Sequence, residues 1–359
     1  MTDIPIESDE VLLDRVGSAA VIRLNRPKAL NSLNLSMVRV MKAAMQHFAD
    51  DPEISCVILK GEGDRGLCAG GDIRVIHEAG KSGDPEVTRF WREEFPLNYA
   101  VSHYAKPYVA LMDGIVMGGG VGIASHGKHR IVTERTKLAM PETGIGYVPD
   151  VGATWLLPRA PGEAGTWIGL TGEVIGAADA IHAGLADASV PSERLGPLVE
   201  VLGELKGGAS DEQVRAVIDR FAVLPGESQL EAHREIIDRV FRFDTVEEIV
   251  RALDREDDEF SRRTRDIVIK RSPTSLKLAL RMLRLGRESS SLVECLEREF
   301  TVGSEILRNH DFYEGVRAAI IDKDRNPKWS PATLEEVGDT DLDRYFATRH
   351  PVLFPDHRL

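Results

Sequence analysis

Cysteine is scarce in this chain: three in 359 residues, Cys56, Cys68 and Cys295. The count is odd and the spacing fits no metal-ligand pattern, so neither a disulfide framework nor a structural zinc site is expected, and a reducing compartment fits. Long apolar runs are also missing. No stretch approaches the roughly 18 uninterrupted apolar residues of a membrane span. The opening Met1-Thr2-Asp3-Ile4-Pro5-Ile6-Glu7 is acidic, with neither the apolar core of a secretion signal nor the arginines of a transit peptide. The expectation is a cytoplasmic protein without a membrane partner. Positive charge is in deficit, 45 Lys and Arg against 58 Asp and Glu, for a net −13. A nucleic-acid partner needs a basic footprint to displace phosphate counterions, so that class is excluded. No repeat of about 20–50 residues is visible, which removes solenoids. At 42% apolar and 29% charged, the chain is too apolar for disorder and long enough for one to three domains.

What is present is a strand–loop–helix rhythm. Runs rich in β-branched residues occur at 20–24, 56–60, 108–112 and 130–132. Between the first two, Leu33, Met37, Met41, Ala44 and Phe48 recur at helical spacing. After 56–60 comes a glycine loop and a helix opening near Asp72, a candidate N-cap. A third round runs from 108–112 through Gly118-Gly119-Gly120 into a small-residue helix. Such succession predicts stacked βαβ units, an α/β fold. Beyond about Gly165 the strand signal fades, and helical patterns follow, with Leu276, Leu280 and Leu283 in one segment and Leu292, Leu296 and Phe300 in the next. Around the glycines at 207–208 lies the best linker, so the reading is a core over 10–205 and a helical region over 210–350.

Four glycine-containing segments compete for the chemistry. Gly61-Glu62-Gly63-Asp64-Arg65-Gly66 fits a dinucleotide fingerprint in letters, but no helix opens at its third glycine, and a surface turn is the simpler account. Leu67-Cys68-Ala69-Gly70-Gly71-Asp72-Ile73 places two bare glycines before a helix, where main-chain N–H groups lack partners inside it; a tight turn is the alternative. Gly118-Gly119-Gly120-Val121-Gly122 opens an apolar helix with residues that are poor inside helices, which implies close backbone approach to something, helix packing included. It is not a Walker loop, and the following Ser125-His126 is not a nucleophile elbow. Met140 to Gly152 holds two prolines and three glycines, a shaped loop carrying Glu142 and Asp150 among apolar neighbours. Each carboxylate alone reads as easily as a solvated or capping group. Together, two loops able to give one N–H each to a developing oxyanion, followed by two carboxylates whose acidities burial would drive apart, suit thioester or enolate chemistry.

These residues resemble the crotonase (enoyl-CoA hydratase/isomerase) superfamily. The carriers are Leu24-Asn25-Arg26-Pro27-Lys28-Ala29-Leu30-Asn31, the Cys68 to Ile73 loop and the Gly114 to Gly122 run. The resemblance implies a spiral of stacked ββα units with a helical C-terminal region. It places the oxyanion amides on Gly71 and Gly119, and coenzyme A against Arg26, Lys28, Ala29, Leu30, Ala69, Gly70, Asp72 and Ile73, with Arg65 and Arg74 as further candidates to offset its phosphates. Hydratases of the superfamily carry a catalytic Glu where this chain has Gly122, so hydration by a glutamate pair is in doubt. The rest is similar to the 3-hydroxyisobutyryl-CoA hydrolases: Ala139 to Thr143, Pro149 to Gly152, Trp91 to Phe95, Ser272 to Lys277 and Asp311 to Ala318. That branch implies thioester hydrolysis in valine breakdown, with Glu142 acting on the carbonyl carbon as base or nucleophile. Asp150 would hold the 3-hydroxyl or share the proton transfers, and Glu94, Gly118 and Gly122 would line the acyl pocket. No metal and no cofactor beyond the substrate's own coenzyme A is implied, and a homo-oligomer is left open. The competing readings are a hydratase or isomerase of the same superfamily and a non-catalytic acyl-CoA binder.

Overall fold

The computed structural model describes residues 8–84 and 86–355; the opening seven residues, on which the expectation about leader segments rested, lie outside them. Among the described residues nine strands form: β1 (Val11–Val16), β2 (Ala19–Leu24), β3 (Cys56–Gly61), β4 (Gly66–Cys68), β5 (Tyr108–Met112), β6 (Ile115–Met117), β7 (His129–Val132), β8 (Lys137–Ala139) and β9 (Ala188–Ser189). Six make one sheet in the order β1-β2-β3-β5-β7-β9, and β4-β6-β8 make a second, smaller one. Only β1 runs antiparallel to its neighbour in the large sheet; β2, β3, β5, β7 and β9 are parallel. Central strands of a parallel sheet are covered on both faces, so they read as continuous apolar runs. Accordingly all five residues of β5 are buried.

The helices that matter here are α1 (Leu35–Asp50), α2 (Ile73–Lys81), α3 (Arg89–Ser102), α4 (Gly119–Ala124), α5 (Ala153–Leu156), α6 (Pro273–Glu288), α7 (Leu292–Ile306) and α8 (His310–Val316). Several start on a side-chain cap: Asn34 accepts the Met37 N–H, Ser272 that of Ser275 and Ser291 that of Glu294, each satisfying one orphan donor of a first turn. The cap expected at Asp72 is different. Helix α2 does begin there, but the Asp72 side chain makes no capping bond. Its ψ of 76° departs from the extended conformation that lets a cap side chain fold back on the first turn. Among the described residues no helix is long and apolar enough to cross a membrane.

By its contacts the chain divides into two compact units. The first takes the residues up to Gly71 with Glu93–Leu138 and Val174–Ser228; the second takes Asp72–Arg92, Ala139–Glu173 and the residues from Gln229 on. One face of the large sheet in the first unit packs Val21, Ile58, Val109 and Ile131 against Leu198, Leu202, Val214 and Val217. The second unit is helical. Leu276, Leu280 and Leu283 of α6 and Leu292, Leu296 and Phe300 of α7 are all buried, as their spacing predicts.

Candidate active site

In the first unit the two glycine loops meet. The N–H of Ala69 donates to the Leu30 carbonyl at 3.0 Å and that of Leu33 to the Gly70 carbonyl at 2.8 Å. These bonds join the segment 26–33 to the segment 68–71. Leu30 and Asn31 both have left-handed φ, 52° and 55°, and the turn is tied down by Asn31, whose side chain accepts from the Arg26 N–H and donates to the Gly66 carbonyl. Arg26 itself faces Glu10 at 3.1 Å and donates to the Ser32 carbonyl, whereas Lys28, Arg65 and Arg74 are exposed.

The glycines opening α4 are there because nothing larger fits. A Cβ on Gly120 would collide with the Cys68 carbonyl oxygen, and one on Gly119 would stand 2.5 Å from Glu94 Oε1 and 3.3 Å from the Gly71 nitrogen. The close approach implied by the sequence is thus to the Cys68–Gly71 loop and, at Gly119, also to the Glu94 side chain of α3. Gly118, with φ 49° and ψ −119°, makes the turn into the helix, and Gly119 to Ala124, Gly122 included, are buried. Among the described residues no acceptor takes the N–H of Gly71 or of Gly119. Two neighbouring main-chain N–H donors, beside the buried carboxylate of Glu94 on α3, are thus open to an incoming acceptor.

In the second unit the 140–152 loop is shaped as its composition requires. Residues Glu142–Ile145 make one 3-10 turn, closed by Gly146 at φ 72°. Glu142 and Asp150 are both buried, 6% and 5% exposed. Burial first, and then the charge of Asp150, push the Glu142 carboxyl well above the usual carboxylate range. Burial and then Glu299 do the same to Asp150, opposed by hydrogen bonds that the Trp91 indole and the Tyr147 hydroxyl donate to it. Glu142 Oε2 has no hydrogen-bond partner among the described residues. A buried carboxylate oxygen so placed is costly unless something arrives to use it.

The segments after the loop hold it in shape. Ser272, which caps α6, donates to Asp311 at 2.6 Å, while its own N–H reaches the Thr143 carbonyl. A Cβ on Gly146 would strike the carbonyl of Asp311, and one on Gly315 that of Ile145, so α8 lies directly on the turn that carries Glu142. Trp91 stacks on Tyr147 with centroids 5.5 Å apart, and Tyr147 meets Phe312 edge-on. Sequence reasoning missed Glu299 of α7. This fully buried carboxylate accepts the N–H of Gly152 at 2.7 Å, the N–H of Thr154 at 2.9 Å and the Thr154 hydroxyl at 2.6 Å. A signal for it existed: 292, 296, 299 and 303 fall at helical spacing, and only the third is charged. Among the described residues no group of His, Cys, Asp or Glu is arranged to hold a metal ion.

Comparison with known proteins places the chain. The family model described as enoyl-CoA hydratase/isomerase matches residues 19–346. A relative from Xenopus tropicalis, named 3-hydroxyisobutyryl-CoA hydrolase, mitochondrial, is 43% identical over 353 residues, 97% of this chain and 91% of its own length. The protein of that name from Homo sapiens is 44% identical over 347 residues, 94% of this chain and 89% of its own. Among solved structures, a carnitinyl-CoA dehydratase from Mycobacterium thermoresistibile superposes with a TM-score of 0.91 at 41% identity, covering 96% of this chain and 98% of that one. An enoyl-CoA hydratase from Rhodobacter sphaeroides follows at 0.85 and 38%, covering 95% and 98%. These likenesses confirm the crotonase-type fold. They overturn the cytoplasmic expectation, since the named relatives are mitochondrial forms. The expectation failed because composition and a few opening residues do not encode a compartment; a thioester is hydrolysed by the same groups in either place. Over nearly its whole length, the chain belongs to the enoyl-CoA hydratase/isomerase family.

Proposed function

We propose that this protein hydrolyses the thioester of a short 3-hydroxyacyl-coenzyme A, 3-hydroxyisobutyryl-CoA above all, as the relatives' names state of those proteins. The observation that carries the reading is the pair of buried carboxylates in one loop, Glu142 and Asp150, in a chain with Gly122 where hydratases of the superfamily keep a glutamate. The N–H groups of Gly71 and Gly119 take the carbonyl oxygen as it becomes an oxyanion. Glu142 accepts the proton of the attacking water, or attacks the carbon itself to give an anhydride that water then opens. The C–S bond breaks, the thiolate of coenzyme A leaves and is protonated, and the free hydroxy acid remains. Asp150 and Glu94 hold the 3-hydroxyl, with Gly118 and Gly122 lining the acyl pocket. Arg26, Lys28, Ala29, Leu30, Ala69, Gly70, Asp72 and Ile73 carry the coenzyme A. Valine breakdown is the pathway this substrate would serve.

A second reading, hydration or dehydration of an acyl-CoA, is favoured by the names of the two solved structures. The reactions differ in one bond: hydration leaves the thioester intact. The test is to mix purified protein with 3-hydroxyisobutyryl-CoA and with an enoyl-CoA and follow free thiol with a chromogenic disulfide. The protein's own thiols will not interfere. Cys56, Cys68 and Cys295 are buried, and burial pushes Cys56 up to about 11 and Cys68 up to about 12, leaving little thiolate to react. The native protein alone should therefore titrate no thiol, and the unfolded protein all three. Thiol release from the hydroxyacyl substrate supports hydrolysis; loss of enoyl absorbance without thiol release would replace it with hydration.

A further inference from the structure

Two positions before Glu299, and so on another face of α7, Glu297 accepts two main-chain N–H groups on one oxygen. They are those of Leu353 at 2.7 Å and Phe354 at 2.9 Å. The donors belong to residues 348–354, a strap that forms neither helix nor strand and is held by side chains instead. Phe354 is buried, the His350 ring meets Phe300 edge-on with centroids 5.7 Å apart, and Arg349 stands 3.6 Å from the buried carboxylate of Glu305. Since Glu297, Phe300 and Glu305 all belong to α7, the strap lies along that helix. It also reaches the first turn of α3, residues 89–92. Arg92 places its guanidinium 4.7 Å from the centre of the Phe300 ring and donates to the Pro351 carbonyl at 3.3 Å. That turn needs support from outside. Pro96 has no N–H to give the Arg92 carbonyl, so α3 lacks a rung there. Trp91, beside Arg92 in the chain, is buried and stacks on Tyr147 with centroids 5.5 Å apart and planes 12° from parallel. Its indole donates to Asp150.

We infer that Glu297 is a positioning residue for substrate recognition: it pins the strap to α7, and the strap, through Arg92, holds Trp91 against Tyr147 and Asp150. The inference rests on the hydrolase reading for one point, that Asp150 holds the 3-hydroxyl of the acyl group. Glu297 acts through a chain of contacts. Its carboxylate fixes the main chain at Leu353 and Phe354, Pro351 two residues earlier fixes Arg92, and Arg92 fixes the turn that carries Trp91. An irregular segment loses much conformational freedom when it is ordered, so one carboxylate that takes two of its N–H groups has a large share in keeping it in place. Trp91 has two contacts in the loop that carries the acids, the ring of Tyr147 and the carboxylate of Asp150. A small rotation of the first turn of α3 would disturb both.

The 3-hydroxyl provides the readout. Loosening Trp91 should hurt 3-hydroxyisobutyryl-CoA more than isobutyryl-CoA, which lacks that group, whereas a general weakening of the fold would hurt both alike. In Glu297→Ala the ratio of the two kcat/KM values for thiol release should fall roughly tenfold, the size expected on losing one buried hydrogen bond. Glu297→Gln keeps an oxygen able to accept both N–H groups and should keep the ratio. Arg92→Met cuts the tether at its other end and leaves an unbranched stem over Phe300. It should lower the ratio as Glu297→Ala does, and it decides the matter if Glu297→Ala does not fold. Trp91→Phe should lower the ratio by itself, with nothing further lost when Glu297→Ala is added. A ratio that stays fixed while both activities fall, or a further loss in the Trp91→Phe background, would overturn the inference. A second readout needs no turnover. The chain has four tryptophans, and the indole N–H resonance of Trp91 in substrate-free protein is the one missing from Trp91→Phe. It should move in Glu297→Ala and in Arg92→Met and keep its place in Glu297→Gln; a resonance unmoved in the first two sinks the idea. If the wild type releases no thiol, the hydrolase reading fails on that result, and the indole resonance still tests the strap.

Discussion

Glu142→Gln should lower kcat for thiol release by roughly 100-fold or more, as expected on losing a positioned base, while KM changes little. Gln matches Glu in volume and can still accept a hydrogen bond, but it can neither take a proton from water nor attack a carbonyl. The present side chain is buried with one oxygen unpartnered, so little else in the fold depends on its charge. Stability should confirm this. A carboxyl whose folded acidity is pushed up, as burial and Asp150 push Glu142, favours the folded state only below the unfolded value, about pH 4. That contribution is lost as pH rises toward the folded value. Glu142→Gln removes the titration, so its melting temperature should equal or exceed that of the wild type at neutral pH, with the advantage shrinking as the pH is lowered toward 4. A dead but stable variant identifies Glu142 as part of the chemistry. Wild-type kcat in this variant would remove Glu142 from the mechanism and with it the carboxylate on which the hydrolase reading leans.

How far the sequence could be read depended on what kind of force shaped each part. Strands β2, β3, β5 and β7 and helices α1, α6 and α7 were legible because burial of an apolar face imposes a period on the residues. The strands β4, β6 and β8 were not, since three residues each are too few for any period, and what makes them strands is one another. Strand β1 is an edge strand with only its first residue fully buried, so its alternation is faint. Two glycine loops could be picked out from the residues, one because glycines opening a helix imply a close approach, but Gly71 and Gly119 within them were singled out by the family resemblance. The Glu142 and Asp150 loop stood out by its prolines and glycines. Glu299 was not legible in the same way: it acts through main-chain N–H groups some 145 positions away, and no local pattern reports a partner that distant. The division into two units, each made of separated segments, is hidden for the same reason.

Gly119→Ala should cost roughly 100-fold in kcat, and the geometry says why so small a change can do so much. The backbone at Gly119 lies in ordinary helical space, and alanine is the better helix former by about 1 kcal/mol, so neither strain nor loss of helix is at issue. The added methyl group has nowhere to go. It would stand 2.5 Å from Glu94 Oε1 and 3.3 Å from the Gly71 nitrogen. The first contact can be relieved, because a carboxylate at the end of a side chain can swing away, taking with it whatever it does for the substrate. The second cannot, because the Gly71 nitrogen belongs to the loop bonded through Gly70 to Leu33. The two effects separate in a double-mutant cycle. If the methyl acts only by displacing Glu94, then Gly119→Ala should cost nothing further in a Glu94→Ala background. If it also crowds the space in front of the two amides, a penalty of roughly tenfold or more in kcat remains there, with KM less affected, since an oxyanion forms only in the transition state. The 3.3 Å approach to Gly71 favours the second outcome. Undiminished kcat in Gly119→Ala itself would mean that the oxyanion is held somewhere other than between these two loops.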